Sequence, residues 1–164
     1  MGRRRRAREL ALKVLYRLDL TGEGWEEVRD RLEEYEKPES VRSFGRRLIE
    51  AVLHHREEID RILGEAALNW EVRRMALVDR NILRVAAAEY LVLGETPAPV
   101  VIDEAVEIAS RYSTEESGAF VNGILDRIVH SRAPGSLSAM EAEGLDGESE
   151  PPGEQGGEGP GASD

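Results

Sequence analysis

The sequence predicts an all-α fold of about seven helices, followed by a disordered acidic C-terminal tail. Apolar residues recur at helical spacing from Ala7 to Ile128, and no segment of useful length alternates as a half-buried strand would. With 40% hydrophobic and 34% charged residues, the composition is that of a globular protein, and 164 residues are enough for one domain. We therefore expect one helical domain over residues 1–132 and a tail over residues 133–164.

The first three helices follow from apolar stripes and from the residues that interrupt them. Thr21-Gly22 is a stop signal for the first helix, and Pro38 ends the second. Ser40 is a candidate N-cap for the third. The apolar positions of the three stripes are Ala7, Leu10, Ala11, Val14, Leu15 and Leu18; Trp25, Val28, Leu32 and Tyr35; and Phe44, Leu48, Ile49 and Val52.

The second half of the domain contains a long apolar run between two breaks. A fourth helix carries Ile59, Ile62 and Leu63, and it is followed by Asn69-Trp70. The run VRRMALVDRNILRVAAAEYLVLG then predicts a short helix and a central helix from about Asp79 to Leu93, whose alanines permit close packing.

Two further helices complete the domain. Thr96-Pro97-Ala98-Pro99 is a break, after which a sixth helix ends near Tyr112. Ser113 and Glu116 have the spacing of a capping box, which predicts the start of the last helix. The buried positions of these two helices are Ile102, Ala105, Val106 and Ala109, and then Phe120, Val121, Ile124, Leu125 and Ile128.

The residues after Arg132 predict a disordered tail. Half of the 16 glycines of the chain lie there, with eight acids, no Lys or Arg and very little to bury.

Because the chain has no cysteine, disulfides and thiolate metal sites are excluded. The first apolar stretch is interrupted by charges, so it is neither a signal peptide nor a membrane span, and we expect a cytoplasmic protein.

No constellation of residues predicts catalysis. His54 and His55 are adjacent, so their side chains point about 100° apart on a helix, and His130 lies beside the tail. No glycine-rich loop follows a strand, and the carboxylate pairs lie on polar helix faces. We therefore expect a binding protein without catalytic residues, metal or cofactor.

The charge of the chain is unevenly distributed. The net charge is -11, yet residues 1–17 hold seven Lys or Arg against one acid. Five of these cations, Arg3, Arg4, Arg5, Arg6 and Arg8, lie at the start of the first helix, where the helix dipole disfavours positive charge. A polyanion partner would explain this arrangement. A genome composition that favours arginine codons would explain the abundance of arginine without a partner.

An aromatic residue accompanies the arginines. At 100° per residue, and with Ala7 at zero, the apolar stripe lies within about 80° of zero, whereas Tyr16 lies near 180° and Arg5 near 160°. A guanidinium for phosphate beside a ring for a base is a pattern of single-stranded RNA binding. The pattern favours RNA over DNA, since no recognition helix for a major groove is evident.

Three segments carry a resemblance to a known family. RRRARELALKVLYRLDLTG, VDRNILRVAAAEYL and PVVIDEAVEIASRYSTEESGAFVNGILDRI resemble the bacterial transcription antitermination factors of the NusB family over residues 3–130. The resemblance implies a seven-helix bundle in two subdomains, without catalysis or cofactor. It also implies binding to the boxA element of ribosomal RNA leader transcripts together with the ribosomal protein NusE, so that RNA polymerase reads through terminators.

The resemblance also assigns roles to residues. The arginine-rich motif corresponds to Arg4, Arg5, Arg6 and Arg8, within a segment over residues 1–8. Tyr16 matches an aromatic of the first helix, and Phe120 matches the aromatic of the FVNG signature as a further RNA contact. Asp79 falls where the family has an acid that faces NusE, although an acid at a helix start can also serve as an N-cap. Gly118 and Ala119 depart from the family, which often has basic or His residues there, so Phe120 could belong to the core.

Two other classes of function remain open from the sequence. A related helical domain precedes the catalytic domain of certain ribosomal RNA methyltransferases, but no cofactor-binding domain follows in this chain. A protein-interaction module, whose arginines meet an acidic protein, is the second alternative. The sequence also leaves open whether the free protein is a monomer or a homodimer.

Overall fold

The computed structural model describes residues 2–68 and 70–137, and within them the chain is helical, without strands. This confirms the predicted fold class. The seven α-helices of the described residues are α1 (Arg3–Thr21), α2 (Trp25–Arg29), α3 (Glu39–His54), α4 (Arg56–Ala66), α5 (Leu77–Ala88), α6 (Ala98–Tyr112) and α7 (Glu115–Ser131). Short 3-10 turns lie at Leu32–Glu34 and Val72–Arg74, and a π-helical turn at Glu89–Leu93 continues α5.

Helix α5 lies at the centre of the bundle. It contacts α1, α3, α4, α6 and α7. Its three consecutive alanines, Ala86, Ala87 and Ala88, are buried and allow this close approach of neighbouring helices. The closest-packed pairs are α1 with α3 and α6 with α7, so α5 joins two groups of helices, as the two-subdomain expectation requires. Among the described residues, no helix combines the length and apolar content needed to cross a bilayer.

Two helix starts differ from the sequence-based expectations by one or two residues. Helix α3 has Pro38 as its N-cap, so Ser40 is not the cap, and its hydroxyl instead accepts a hydrogen bond from Arg3. Helix α7 is capped by Thr114, whose Oγ1 accepts from the backbone N–H of Ser117 at 3.0 Å. The Ser113 capping box is therefore wrong, because two adjacent hydroxyl residues offered alternative caps and the second one was used.

The second predicted helix is shorter than its apolar stripe. Helix α2 ends at Arg29, and the stripe continues only as the 3-10 turn that contains Leu32. Val28 and Leu32 are both buried, so the spacing correctly identified the buried positions. A stripe of four residues does not distinguish one continuous helix from two short turns.

The ordered domain extends beyond the boundary expected at Arg132. Leu137 is 3% exposed, and the backbone N–H of Gly135 donates to the carbonyl oxygen of Tyr90 at 2.9 Å. Gly94 has a positive φ of 63°, and a Cβ there would lie 2.8 Å from the Gly135 nitrogen. Residues 133–137 therefore pack on the end of α5. The rest of the expected tail, residues 138–164, lies outside the described residues.

This packing predicts that two truncations differ in stability. A chain that stops after Leu137 should melt within a few degrees of the full chain, since residues 138–164 offer little apolar surface to bury. A chain that stops after Arg132 loses the burial of Leu137, worth about 1.5–3 kcal/mol, and should melt several degrees lower. Thermal melts of the two proteins check this, and equal melting temperatures would contradict the structural role of residues 133–137.

Candidate nucleic-acid interface

The arginine-rich segment is the first two turns of α1. Gly2 is the N-cap of this helix, and its first turn contains no acid, so nothing local offsets the unfavourable helix dipole. The offset comes from elsewhere in the chain, because side chains of α3, of the loop before α3, of α6 and of the turn that continues α5 approach the arginines. These arginines therefore fall into three groups by the partner that they meet.

Arg3 and Arg4 meet uncharged partners on α3. Arg3 Nη1 donates to Ser40 Oγ at 2.7 Å, and the Arg4 guanidinium lies over the Phe44 ring, 3.8 Å from its centroid. Both side chains are exposed. A cation over an aromatic face keeps its full charge. Arg3 and Arg4 are thus the exposed cations of the segment that form no ion pair with a carboxylate within the part of the chain that the structure describes.

Arg5 and Arg6 form half-buried bidentate ion pairs. Arg5 donates from Nε and Nη2 to the two oxygens of Glu104, at 2.7 and 3.0 Å. Arg6 donates from the same two nitrogens to Glu36, with its Nε 3.2 Å from Oε1. The hydrogen bond from Arg5 holds the pKa of Glu104 below its usual range, so that carboxylate stays charged near neutral pH.

Arg8, which the resemblance assigns to the arginine-rich motif, is buried in the free protein. Its side chain is 7% exposed and pairs with Glu89, whose side chain is 1% exposed. The Nε and Nη2 nitrogens each lie 2.7 Å from an oxygen of that carboxylate. Breaking a buried pair leaves an uncompensated charge and costs about 3–5 kcal/mol. Arg8 therefore joins α1 to the turn that continues α5, and its Nη1 also lies 3.7 Å from Glu104 Oε2 on α6.

The outer face of α1 is more covered than its apolar stripe predicted. Leu12 and Glu9 lie on the face opposite Ala7, yet both are buried, because side chains of α6 meet this face: Tyr112 donates to Glu9, and Leu12 lies beside Ala105. Tyr16 is half-buried on this face. The expectation that Tyr16 is fully on the solvent side is therefore only partly met.

A second cationic and aromatic group lies beside Tyr16, and the sequence did not predict it. Lys13, one turn before Tyr16 on α1, is exposed, with its Nζ 5.9 Å from the centre of the Tyr112 ring. The Tyr112 hydroxyl donates to Glu9 at 3.2 Å. The spacing of Lys13 and Tyr16 was visible in the sequence, whereas the approach of Tyr112 from the end of α6 had no local signal.

Asp79 lies in the first turn of α5 and faces the start of α7. Helix α5 begins at Leu77 with Ala76 as its N-cap, so the alternative that Asp79 is the N-cap is wrong. Asp79 is 9% exposed, and its Oδ2 accepts from Ser117 Oγ at 3.1 Å. The other oxygen, Oδ1, is buried without a hydrogen-bond partner in the described residues. It is an unused acceptor.

Phe120 lies one turn after Ser117 and is half-buried against the core. Its ring meets that of Trp70 edge to face, with 6.1 Å between centroids. Trp70 is 57% exposed, and Leu68 beside it is 71% exposed. Phe120 is thus both a core contact and part of an aromatic surface with Trp70. The sequence analysis treated Trp70 only as part of a break between helices.

The candidate sites contain no evident metal centre. Within residues 2–68 and 70–137, no three His, Asp or Glu side chains come together in a group that could hold a metal ion. His54 and His55 line an open groove beside Trp25 and Val92.

The fold and these surfaces define a class: an all-helical protein whose first helix carries exposed arginines at its start and aromatic residues farther along. A family model described as the NusB family matches residues 5–130. The chain belongs to the NusB family.

Relatives and solved structures agree with this assignment. The transcription antitermination protein NusB of Desulfitobacterium hafniense (strain DSM 10664 / DCB-2) is 46% identical over 131 residues, which cover 78% of this chain and 88% of that protein. The structure of T. maritima NusB has a TM-score of 0.72 at 38% identity, and the match covers 82% of this chain and 94% of that one. A crystal structure of antitermination factors NusB and NusE in complex with double-stranded RNA has a TM-score of 0.71 at 32% identity, with coverages of 80% and 99%.

Proposed function

We propose that this protein is a transcription antitermination factor that binds the boxA element of ribosomal RNA leader transcripts together with NusE and promotes read-through by RNA polymerase. The observation that carries the proposal is the start of α1, where exposed Arg3 and Arg4 form no ion pair with a carboxylate of the described residues, in a member of the NusB family. A related NusB has been solved with NusE and double-stranded RNA, which supports the same partners for this chain.

The RNA-contacting residues divide by chemistry. Arg3, Arg4, Arg5 and Arg6 supply phosphate contacts, since guanidinium groups match phosphate geometry. Tyr16 supplies an aromatic ring for base stacking, and the Phe120 ring supplies a second one farther along the protein. Arg8 is left out of the proposed RNA site because it is buried in its pair with Glu89.

The proposed NusE contact centres on Asp79. Its Oδ1 is an acceptor without a donor among the described residues, and because this oxygen is buried, a donor of a partner protein reaches it only if the contact between Asp79 and the start of α7 opens. Trp70 and Phe120 lie near Ser117 and extend this surface with exposed apolar area. We infer that the protein works through these contacts as a binding protein in the cytoplasm, rather than as an enzyme.

A gel-shift titration tests the proposal. Labelled boxA RNA and a scrambled RNA of the same composition are titrated with the protein, with and without NusE. We expect boxA to bind more tightly than the scrambled RNA, and NusE to increase that preference. If neither RNA binds under any condition, the result favours the alternative that the protein is a protein-interaction module. A pull-down with acidic proteins would then be the next experiment.

A further inference from the structure

The pairs of Arg5 and Arg6 raise a question about the proposed RNA site, on which this inference rests. Both guanidinium groups present their Nε and Nη2 edge to a carboxylate, Arg5 to Glu104 and Arg6 to Glu36. The same edge of arginine is one of those that bind phosphate in a bidentate manner. In the free protein these edges are therefore occupied by oxygens that resemble a phosphate in charge and spacing.

The exposure of the pairs separates those that can open from those that cannot. The Arg5 and Glu104 side chains are 27% and 21% exposed, and those of Arg6 and Glu36 are 35% and 20% exposed. Water reaches all four groups, so the ions stay solvated when either pair separates. The pair of Arg8 with Glu89, at 7% and 1%, would leave a buried charge on opening and stays closed, and it keeps Arg8 neutralised although Arg8 Nη1 also lies 3.7 Å from Glu104 Oε2.

The surroundings allow a phosphate to reach Arg5. An open cavity of about 620 Å³ lies between the starts of α1 and α6, and the charged residues of its lining are Arg4, Arg5, Arg8, Glu95 and Glu104. Arg4, which is exposed, offers an anion in this cavity a positive charge beside that of Arg5. Glu104 lies on the same wall, where it repels the anion and competes for Arg5.

We propose that Glu36 and Glu104 are intramolecular competitors of RNA: in the free protein they occupy the edges of Arg6 and Arg5 that phosphates take in the complex. These two acids thereby lower the affinity for RNA of any sequence, and they make the salt dependence weaker than four exposed arginines would give. Competition by Glu36 and Glu104 therefore keeps weakly binding polyanions from the start of α1.

The test compares the Glu36→Gln/Glu104→Gln variant with the parent in binding a labelled single-stranded boxA RNA and its scrambled form. Glutamine removes each negative charge and keeps an acceptor oxygen near the arginine. We expect roughly five- to tenfold tighter binding of both RNAs at low salt. The slope of log K against log salt should be steeper by up to about 1.4, because the two carboxylates no longer remain beside the bound phosphates to offset the charges of Arg5 and Arg6, and each phosphate that is then fully neutralised contributes about 0.7.

The matched control removes two acids from a different helix. The Glu58→Gln/Glu65→Gln variant changes the net charge equally but breaks the pairs of Arg61 on α4, and we expect little change in its slope. The proposal is overturned if the double variant at Glu36 and Glu104 binds like this control or more weakly than the parent. The two acids would then serve to position Arg6 and Arg5. If the double variant melts too low to use, each single substitution should steepen the slope by about half as much.

The proposed function and the competition by Glu36 and Glu104 are contradicted by different results. A parent protein that binds neither RNA, with or without NusE, removes the proposed function and this inference with it. A parent that binds boxA RNA while the glutamine variants leave both affinity and slope unchanged removes only the competition by Glu36 and Glu104.

Discussion

Replacing Asp19 by alanine is expected to lower the free energy of unfolding by about 3–5 kcal/mol. Asp19 lies near the end of α1 with its side chain 8% exposed. Its Oδ2 accepts from Asn81 at 3.0 Å and from Arg84 at 2.9 Å, and Oδ1 accepts from Arg56 at 2.9 Å. Removal of the carboxylate leaves Arg84 buried without one of its two anionic partners, with Asp60 and the Asn81 amide oxygen as its remaining acceptors.

The same network joins three helices, which explains the size of the effect. Arg84 of α5 also donates to both oxygens of Asp60 on α4, at 2.8 and 2.9 Å. The VDRNILR segment thus holds the ends of α1 and α4 against the central helix. The Asp19→Ala variant should melt on the order of 10 °C below the parent.

The control for this variant is Asp30→Ala. Asp30 is 81% exposed and lies 3.8 Å from an exposed Arg29, so its removal should change the melting temperature by no more than a degree or two. If Asp19→Ala has the same melting temperature as this control and the parent, the buried network contributes no net stability and the assignment of its role is wrong.

The pH dependence of stability gives a second readout of the Asp19 network. Burial alone would raise the pKa of Asp19, but the hydrogen bond from Asn81 and the charges of Arg84 and Arg56 outweigh it, so the pKa is lowered. Since the folded-state pKa lies below the unfolded value of about 3.9, this stabilisation is present above that pH and is lost as the pH falls through the folded pKa. The Asp19→Asn variant should therefore lose less stability than the parent on acidification below about pH 4.

The apolar stripes of the sequence predicted the helices well because local periodicity determines them. Leu10, Val14 and Leu48 are buried where the stripes placed them, and α1 ends at Gly22, whose φ of 75° suits a glycine C-cap. The Thr96–Pro99 break also agrees with the structure, in which α6 begins at Ala98. Local spacing and turn residues carry this information without knowledge of the tertiary structure.

The partners of the arginines could not be predicted in the same way. Arg5 and Glu104 are 99 positions apart in the chain, and Arg8 and Glu89 are 81 apart. Only the packing of α1 against α5 and α6 decides which acids meet which arginines. Five arginines at a helix start therefore looked like a wholly unpaired cationic segment, although three of them meet carboxylates. The burial of Leu137 was missed for the same reason, because one leucine among glycine and proline carries no periodic signal.

The second large effect concerns RNA affinity and falls on Arg3 and Arg4. Both are exposed, and their partners are a hydroxyl and an aromatic ring, so each can neutralise a phosphate without first leaving a carboxylate. The Arg3→Ala/Arg4→Ala variant should bind boxA RNA roughly tenfold more weakly at low salt. Because phosphate contacts do not read sequence, binding to a scrambled RNA should weaken by a similar factor.

Stability should be almost unchanged in this variant, since the two arginines destabilise the helix start through its dipole and contribute little buried area. The Arg29→Ala/Arg61→Ala variant is the matched control. It removes two exposed arginines of α2 and α4, each of which meets an acid that is also exposed. It should retain both the affinity and the salt dependence of the parent.

The salt dependence of boxA RNA binding in the presence of NusE tests the central claim most directly. The claim is that the start of α1 binds RNA phosphates, and the quantity measured is the slope of log K against log salt. We predict that the slope of the Arg3→Ala/Arg4→Ala variant is flatter than that of the parent by about 1.4, whereas the Arg29→Ala/Arg61→Ala control keeps the parent slope. Equal slopes for all three proteins, with boxA RNA still bound, would contradict the claim and place the RNA on another surface of the bundle.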